Sequence, residues 1–160
     1  MGEKPYELKV DKWAFRVYRD RFYTENDSWA RAEGDVITVG ITDFLQNNAG
    51  DIVFTECLKT GSNVEQFDEV ASFESVKTML DVISPVSGTV VKTNPRLESE
   101  PELVNKDANS EGWFVKIKAN DFEADKKNLL SPENYYEILK KKAETERLKL
   151  KQKSENSQKE

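Results

Sequence analysis

Phe73-Glu74-Ser75-Val76-Lys77-Thr78-Met79-Leu80-Asp81-Val82-Ile83-Ser84-Pro85-Val86-Ser87-Gly88 governs the reading of the whole chain. Val70 to Ser75 and Leu80 to Ser84 are short runs rich in β-branched and aromatic residues on either side of Lys77, which predicts two strands joined close to that lysine. Lys77 therefore belongs near the tip of a β-hairpin. Pro85-Val86-Ser87-Gly88 reads as a further turn, because proline presets one backbone angle and glycine tolerates unusual ones. It leads into a strand at Thr89-Val90-Val91-Lys92-Thr93.

The same punctuation extends outward from this stretch. Trp29-Ala30-Arg31-Ala32-Glu33 and Val36-Ile37-Thr38-Val39 flank Gly34-Asp35, a hairpin with glycine at the turn. Thr42 is placed to cap a short helical turn through Phe44 and Leu45, ended by Asn47-Asn48 and Gly50. Strand character resumes at Asp51-Ile52-Val53-Phe54-Thr55, Gly61 marks a turn, and Gly112 to Lys118 reads as the last core strand. Ser131-Pro132 starts a helix, since serine accepts free amide hydrogens and proline has none to waste. Its apolar face is Tyr135, Ile138, Leu139 and Ala143. The expected organisation is an N-terminal arm at 1–20, a β domain at 21–130, a C-terminal helix at 131–150 and a disordered charged tail at 151–160. In the arm and its junction, aromatic and basic residues (Tyr6, Trp13, Phe15, Arg16, Tyr18, Arg19, Arg21) interleave without a sustained period. Such a segment either binds RNA or packs on the core, and the acidic remainder favours packing.

Composition narrows the chemistry. The 160 residues are 34% charged with a formal net charge of -6, so the surface repels polyanions and nucleic acid is not the expected partner. Met1-Gly2-Glu3-Lys4-Pro5 carries no apolar segment and no window suits a membrane span. A cytoplasmic location is expected. Histidine is absent and Cys57 is the only cysteine, so a Ser-His-Asp triad, a Cys-His pair and a His-based zinc site are excluded. No catalytic residue and no metal ligand set is expected. Cys57 reads either as an inert buried thiol or as a group able to exchange with other thiols. Trp29, Trp113 and Phe114 read as core aromatics, and Gly50 and Gly88 as structural turn residues.

Phe73-Glu74-Ser75-Val76-Lys77 with Asp81 to Gly88 closely resembles the lipoyl attachment region of the glycine cleavage system H protein family. Gly34-Asp35-Val36, Val39-Gly40-Ile41-Thr42-Asp43, Gly50-Asp51-Ile52-Val53-Phe54, Pro101-Glu102-Leu103-Val104-Asn105 and Gly112 to Ile117 are similar to that family as well, in order and at compatible spacing. The resemblance implies a mainly β barrel-sandwich hybrid of the lipoyl- and biotinyl-carrier kind, with short flanking helices. It implies a carrier rather than an enzyme, with lipoate joined covalently to Lys77 as N6-lipoyllysine. It also makes Glu74 a candidate for recognition by the modifying enzyme, against the plainer reading of an exposed strand charge. Biotinyl acceptors place methionine on both sides of their lysine, whereas Val76 and Thr78 flank Lys77 here, which favours lipoate.

The implied partners are glycine decarboxylase, the aminomethyltransferase, dihydrolipoyl dehydrogenase and a lipoate ligase or lipoyl transferase. The implied cargo is the aminomethyl group of glycine. Two departures stand out: Asn26-Asp27-Ser28 replaces a family histidine before the tryptophan, and Thr78-Met79-Leu80 replaces small residues after the lysine. They leave open an H-protein-like carrier for sulfur oxidation beside a heterodisulfide-reductase-like complex, or a scaffold without lipoate.

Overall fold

The computed structural model describes residues 3–158. An antiparallel hairpin comes first, β1 (Tyr6–Val10) and β2 (Trp13–Val17). β3 (Phe22–Tyr23), β4 (Ser28–Glu33) and β5 (Val36–Ile41) follow, and β4 and β5 turn at Gly34 with φ +64°. The helix α1 (Asp43–Ala49) begins at Thr42, whose side chain accepts from the amide of Leu45 at 3.3 Å. It runs through Asn47 and Asn48 to a C-cap at Gly50 with φ +84°, the end that the sequence suggested.

Next come β6 (Ile52–Cys57), β7 (Asn63–Val64), β8 (Glu69–Ser75), β9 (Met79–Ile83) and β10 (Gly88–Thr93). A 3-10 turn (Pro95–Glu98), α2 (Leu103–Lys106), β11 (Val115–Ala119), α3 (Phe122–Lys126) and α4 (Pro132–Gln158) complete the chain. The ladder of β11 starts at Val115 rather than at Gly112. The reason lies in packing: a Cβ at Gly112 would stand 2.8 Å from the carbonyl oxygen of Leu103, so this backbone is pressed against α2 instead of a strand.

Two antiparallel sheets share one core. One has six strands in the order β3-β4-β5-β11-β10-β7, the other three in the order β6-β8-β9. Ile37, Val39, Val90 and Ile117 from the first meet Ile52, Val70, Phe73 and Val82 from the second. Phe73 and Phe114 face each other with ring centroids 5.9 Å apart. Each such side chain contributes roughly 1.5–3 kcal/mol through burial. The result is the mainly β barrel-sandwich with short flanking helices expected from the sequence.

A second apolar layer covers the outer face of β4. Trp29 is fully buried there with Tyr23, Phe15, Val17 and Phe44, beneath Tyr135, Leu139 and Ala143 of α4. Tyr23 and Tyr135 stack at 4.5 Å. Arg21 is also inside, its guanidinium 4.5 Å from the Trp29 ring centre and donating to the carbonyl of Asn109 at 2.7 Å. Trp29 owes its seat to Gly40, where a Cβ would lie 2.3 Å from the indole.

The C-terminal helix continues to Gln158, past Leu150 where the sequence suggested that order ends. Its distal part lies in solvent, and Lys, Glu, Gln, Leu and Arg are good helix formers that need no core. Pairs one turn apart, Glu137 with Lys140, Glu144 with Arg147 and Glu146 with Lys149, support it. Of the tail expected at 151–160, Lys159 and Glu160 lie outside the described residues, as do Met1 and Gly2 of the arm. No helix among the described residues is long and apolar enough to cross a membrane.

Candidate functional site

Lys77 sits in the turn between β8 and β9, exposed, with Val76 and Thr78 beside it. None of the three has the left-handed backbone angle that many tight turns use. Ser75 holds the turn instead. Its backbone N–H donates to the carbonyl of Thr78 at 2.8 Å, and its hydroxyl oxygen accepts from the amides of Thr78 at 3.1 Å and Lys77 at 3.3 Å. Ser75 is itself buried, so the hydroxyl works shielded from water. The amide of Val76 donates to the carbonyl of Asp51 at 3.1 Å, which ties the tip to the segment entering β6.

That segment is fixed in turn. Gly50 donates to the carbonyl of Gln46 and ends α1, while Asn105 of α2 donates to the Gly50 carbonyl at 2.9 Å and accepts from the amide of Ile52 at 2.9 Å. Asn105 also donates to the Gln46 side chain at 3.0 Å. It therefore bolts α1, Gly50 and β6 together beneath Lys77. The stem of Lys77 lies over Gly50, where an added Cβ would stand 3.0 Å from Cε. Among the described residues the ammonium of Lys77 has no ion-pair partner. An exposed amine on a braced turn, with a glycine bed under its stem, fits a covalently attached acyl arm.

Gly50 and Asp51 also edge a cleft of about 500 Å³ between α1, the Asn105–Asn109 segment and β2, which contributes Trp13 and Phe15. Asp43 stands in its wall. Burial raises its carboxyl pKa, opposed by hydrogen bonds from the amide of Arg16 and the side chain of Asn109, both at 2.9 Å.

Glu74 is exposed on the outer face of the three-stranded sheet, directly across from Phe54 on one side and Met79 on the other. Of the bulky residues after the lysine, Met79 points to solvent and Leu80 packs against the core. Asp27, in the segment expected to depart from the family before Trp29, is buried with φ +64°. Its carboxylate accepts from the hydroxyl of Tyr135 and from Lys142 at 2.9 Å. Asp27 thus serves the docking of α4.

Cys57 is not brought to Lys77. It pairs with Ala71 at the opposite end of the sheet from the Ile52 and Ser75 pair below the tip. The thiol is half-buried, and burial pushes its pKa up to about 11, with Glu56 adding to the rise. Trp29 and Phe114 are buried as expected, whereas Trp113 is half-buried. No group of three metal-binding side chains occurs among the described residues.

Asn105 is the contributor that sequence reasoning missed. It lay within the quoted Pro101 to Asn105 segment, but nothing local distinguishes it from a loop residue. Its three polar partners come from positions more than fifty residues away.

Comparison with known proteins bears on this geometry. The model of the family described as glycine cleavage H-protein matches residues 21–142, more than half of the chain. Over 144 residues the chain is 42% identical to the probable glycine cleavage system H protein of Aeropyrum pernix, covering 90% of this chain and 100% of that protein. Over 127 residues it is 46% identical to a glycine cleavage system H protein of Thermus thermophilus, covering 79% and 98%. A solved glycine cleavage system H protein from Mycobacterium marinum superposes with a TM-score of 0.66 at 27% identity, over 74% of this chain and 95% of that one. The hairpin of β1 and β2 lies outside the residues that the family model matches.

Proposed function

The chain belongs to the glycine cleavage H-protein family, and on that premise we propose that it is a carrier whose Lys77 is joined through an amide to a lipoyl group. The single observation that carries this reading is the construction of the turn: Ser75, Asp51 and Gly50 hold an exposed lysine in place while leaving its amine unpaired. Mobile surface lysines need no such support.

When bound, the lipoyl group would supply a disulfide that can be reduced to two thiols, the chemistry that a carrier of the aminomethyl group of glycine needs. The protein's own residues do the rest. Lys77 gives the point of attachment, and its Nζ must lose a proton to form the amide. Ser75 and Asn105 keep the backbone below it from moving, so the position of the arm's root is set by the fold. Tethering raises the effective concentration of the reactive end at whichever enzyme the protein docks with. The partners of such a carrier are glycine decarboxylase, the aminomethyltransferase, dihydrolipoyl dehydrogenase and the ligase or transferase that modifies Lys77. Glu74, exposed three residues before the lysine, is a candidate for recognition by that last enzyme.

The relatives bear the glycine cleavage name, and neither the sulfur-carrying reading nor the lipoate-free scaffold gains support over it. The test is to load the lipoylated protein with glycine and purified glycine decarboxylase and to follow its intact mass. An aminomethyl adduct is expected. A lipoylated protein that never acquires one would overturn the pathway and leave the carrier role standing.

A further inference from the structure

The interleaved aromatic and basic residues near the N-terminus pack on the core, with Phe15 and Arg21 buried, yet their arginines also build a site. Where the chain leaves β2, Tyr18, Arg19 and Arg21 meet Arg31 of β4 and the loop at Asn109 and Ser110 around a pocket of about 410 Å³. That is within the size range of small-molecule sites. Tyr18 and Arg19 precede the residues that the family model matches, so the pocket lies where the N-terminal hairpin joins the β domain. Three guanidiniums line it against two carboxylates, those of Glu3 and Asp20. Glu3 holds Arg19 and Asp20 holds Arg21, both at 2.8 Å, while Arg31 only approaches Glu33 at 4.0 Å. On a chain of formal net charge -6, this is a local excess of positive charge.

The arginines are held in place. The Arg21 guanidinium lies 4.7 Å from the ring centre of Tyr18 and 4.5 Å from that of Trp29, and it donates to Asp20 and to the Asn109 carbonyl. Arg31 approaches the same Trp29 ring at 5.9 Å. Two buried side-chain atoms among the described residues have no hydrogen-bond partner: Nε of Arg31, a donor, and Oδ1 of Asn109, an acceptor. Both residues line this pocket, and buried polar atoms are normally satisfied. Asn109 gains nothing by turning its amide over, because Nδ2 donates to the Asp43 carboxylate at 2.9 Å and an oxygen there would be repelled. A ligand that completes the site brings several acceptor oxygens for the guanidiniums and a hydroxyl for Asn109. A carboxylate group has acceptors alone. A hydrogen phosphate has both, and guanidinium forks match its oxygens. We propose that this pocket binds a small phosphorylated molecule, its phosphate shared by Arg19, Arg21 and Arg31 and a hydroxyl donated to Asn109. The ligand joins the N-terminal hairpin to the β domain and stabilises that contact. The carrier reading of Lys77 does not depend on it.

The test is an NMR titration of the full isotope-labelled chain with inorganic phosphate at constant ionic strength, with acetate as the control anion. Phosphate gives saturable shifts at the Asn109 side-chain amide and at the Trp29 indole N–H, which donates to the neighbouring Ala108 carbonyl, with a Kd on the order of 1 mM. The melting temperature rises as the site fills. Arg19→Gln and Arg31→Gln each weaken phosphate binding about tenfold. Arg19 is partly exposed, so its variant decides the matter if Arg31→Gln disturbs the packing over Trp29. Lys59→Gln and Lys149→Gln, which remove exposed cations elsewhere, leave the affinity at the wild-type value. Shifts that never saturate, that acetate reproduces, or that persist at full affinity in Arg19→Gln and Arg31→Gln overturn the proposal.

Discussion

Two of the chain's hairpin turns are solved in different ways. Between β4 and β5, Gly34 takes φ +64° and has nothing within 4 Å of where a Cβ would stand. That turn takes its shape from glycine, its Asp35 carbonyl accepts from the amide of Ala119 at 2.8 Å, and it only connects. Between β8 and β9, no residue of the turn uses a left-handed angle, and its shape is imposed by the Ser75 hydroxyl from below and the Asp51 carbonyl from the side. A turn braced by buried groups presents one side chain in a fixed place. The difference separates a linker from a platform.

Substitutions at the two turns put this contrast at risk, and the largest effect on modification is expected at the tip itself. Lys77→Arg abolishes lipoylation, and because the side chain is exposed it shifts stability by no more than about 0.5 kcal/mol. Mass spectrometry and thermal melting check both halves. Gly50→Ala places a side chain at φ +84° and crowds the Lys77 stem. It costs about 1–2 kcal/mol and slows lipoylation. Ser75→Ala removes the hydroxyl that receives two turn amides, which costs about 1 kcal/mol. It lowers the rate of modification more than the loss of stability alone explains, as measured at a temperature where the variant is fully folded. Gly34→Ala is the counterpart: it loses about 1 kcal/mol to backbone strain and leaves the lipoylation rate untouched. Equal effects of Ser75→Ala and Gly34→Ala on that rate would erase the distinction between the turns.

Features specified by neighbouring residues were legible in the sequence. Gly34-Asp35, the Thr42 cap, the Ser131-Pro132 start and the strands around Lys77 all depend on local geometry, and all stand where the residues suggested. The N-terminal hairpin carried a readable signal that the interleaved aromatics obscured. Tyr6-Glu7-Leu8-Lys9-Val10 alternates apolar and charged residues, and its burial alternates with it. Its turn uses a non-glycine residue, Asp11 at φ 54°, so the usual glycine marker was missing. The position of Asn105 under the site was not legible, because its three partners are distant in sequence. Nor was the role of Asp27, whose α4 partners lie more than a hundred residues away.

The smallest expected effect concerns the far end of the same sheet. Burial raises the Cys57 pKa from 9.0 to about 11. The folded state therefore holds its proton more tightly than the unfolded state, a contribution to stability that is full below pH 9 and lost as the pH rises through about 11. Alkylation of Cys57 by iodoacetamide should stay slow in the native protein at pH 8 and become that of an ordinary thiol in urea. Fast native alkylation would show the thiol to be accessible and ionised, and would reopen its exchange with a dithiol.

The braced turn as the attachment platform is tested most directly by co-expressing the full chain with a lipoate ligase, then measuring its intact mass and mapping the modified peptide. The expected result is a single added lipoyl group, carried by Lys77 alone. An unmodified protein, or a lipoyl group on any other lysine, would contradict it.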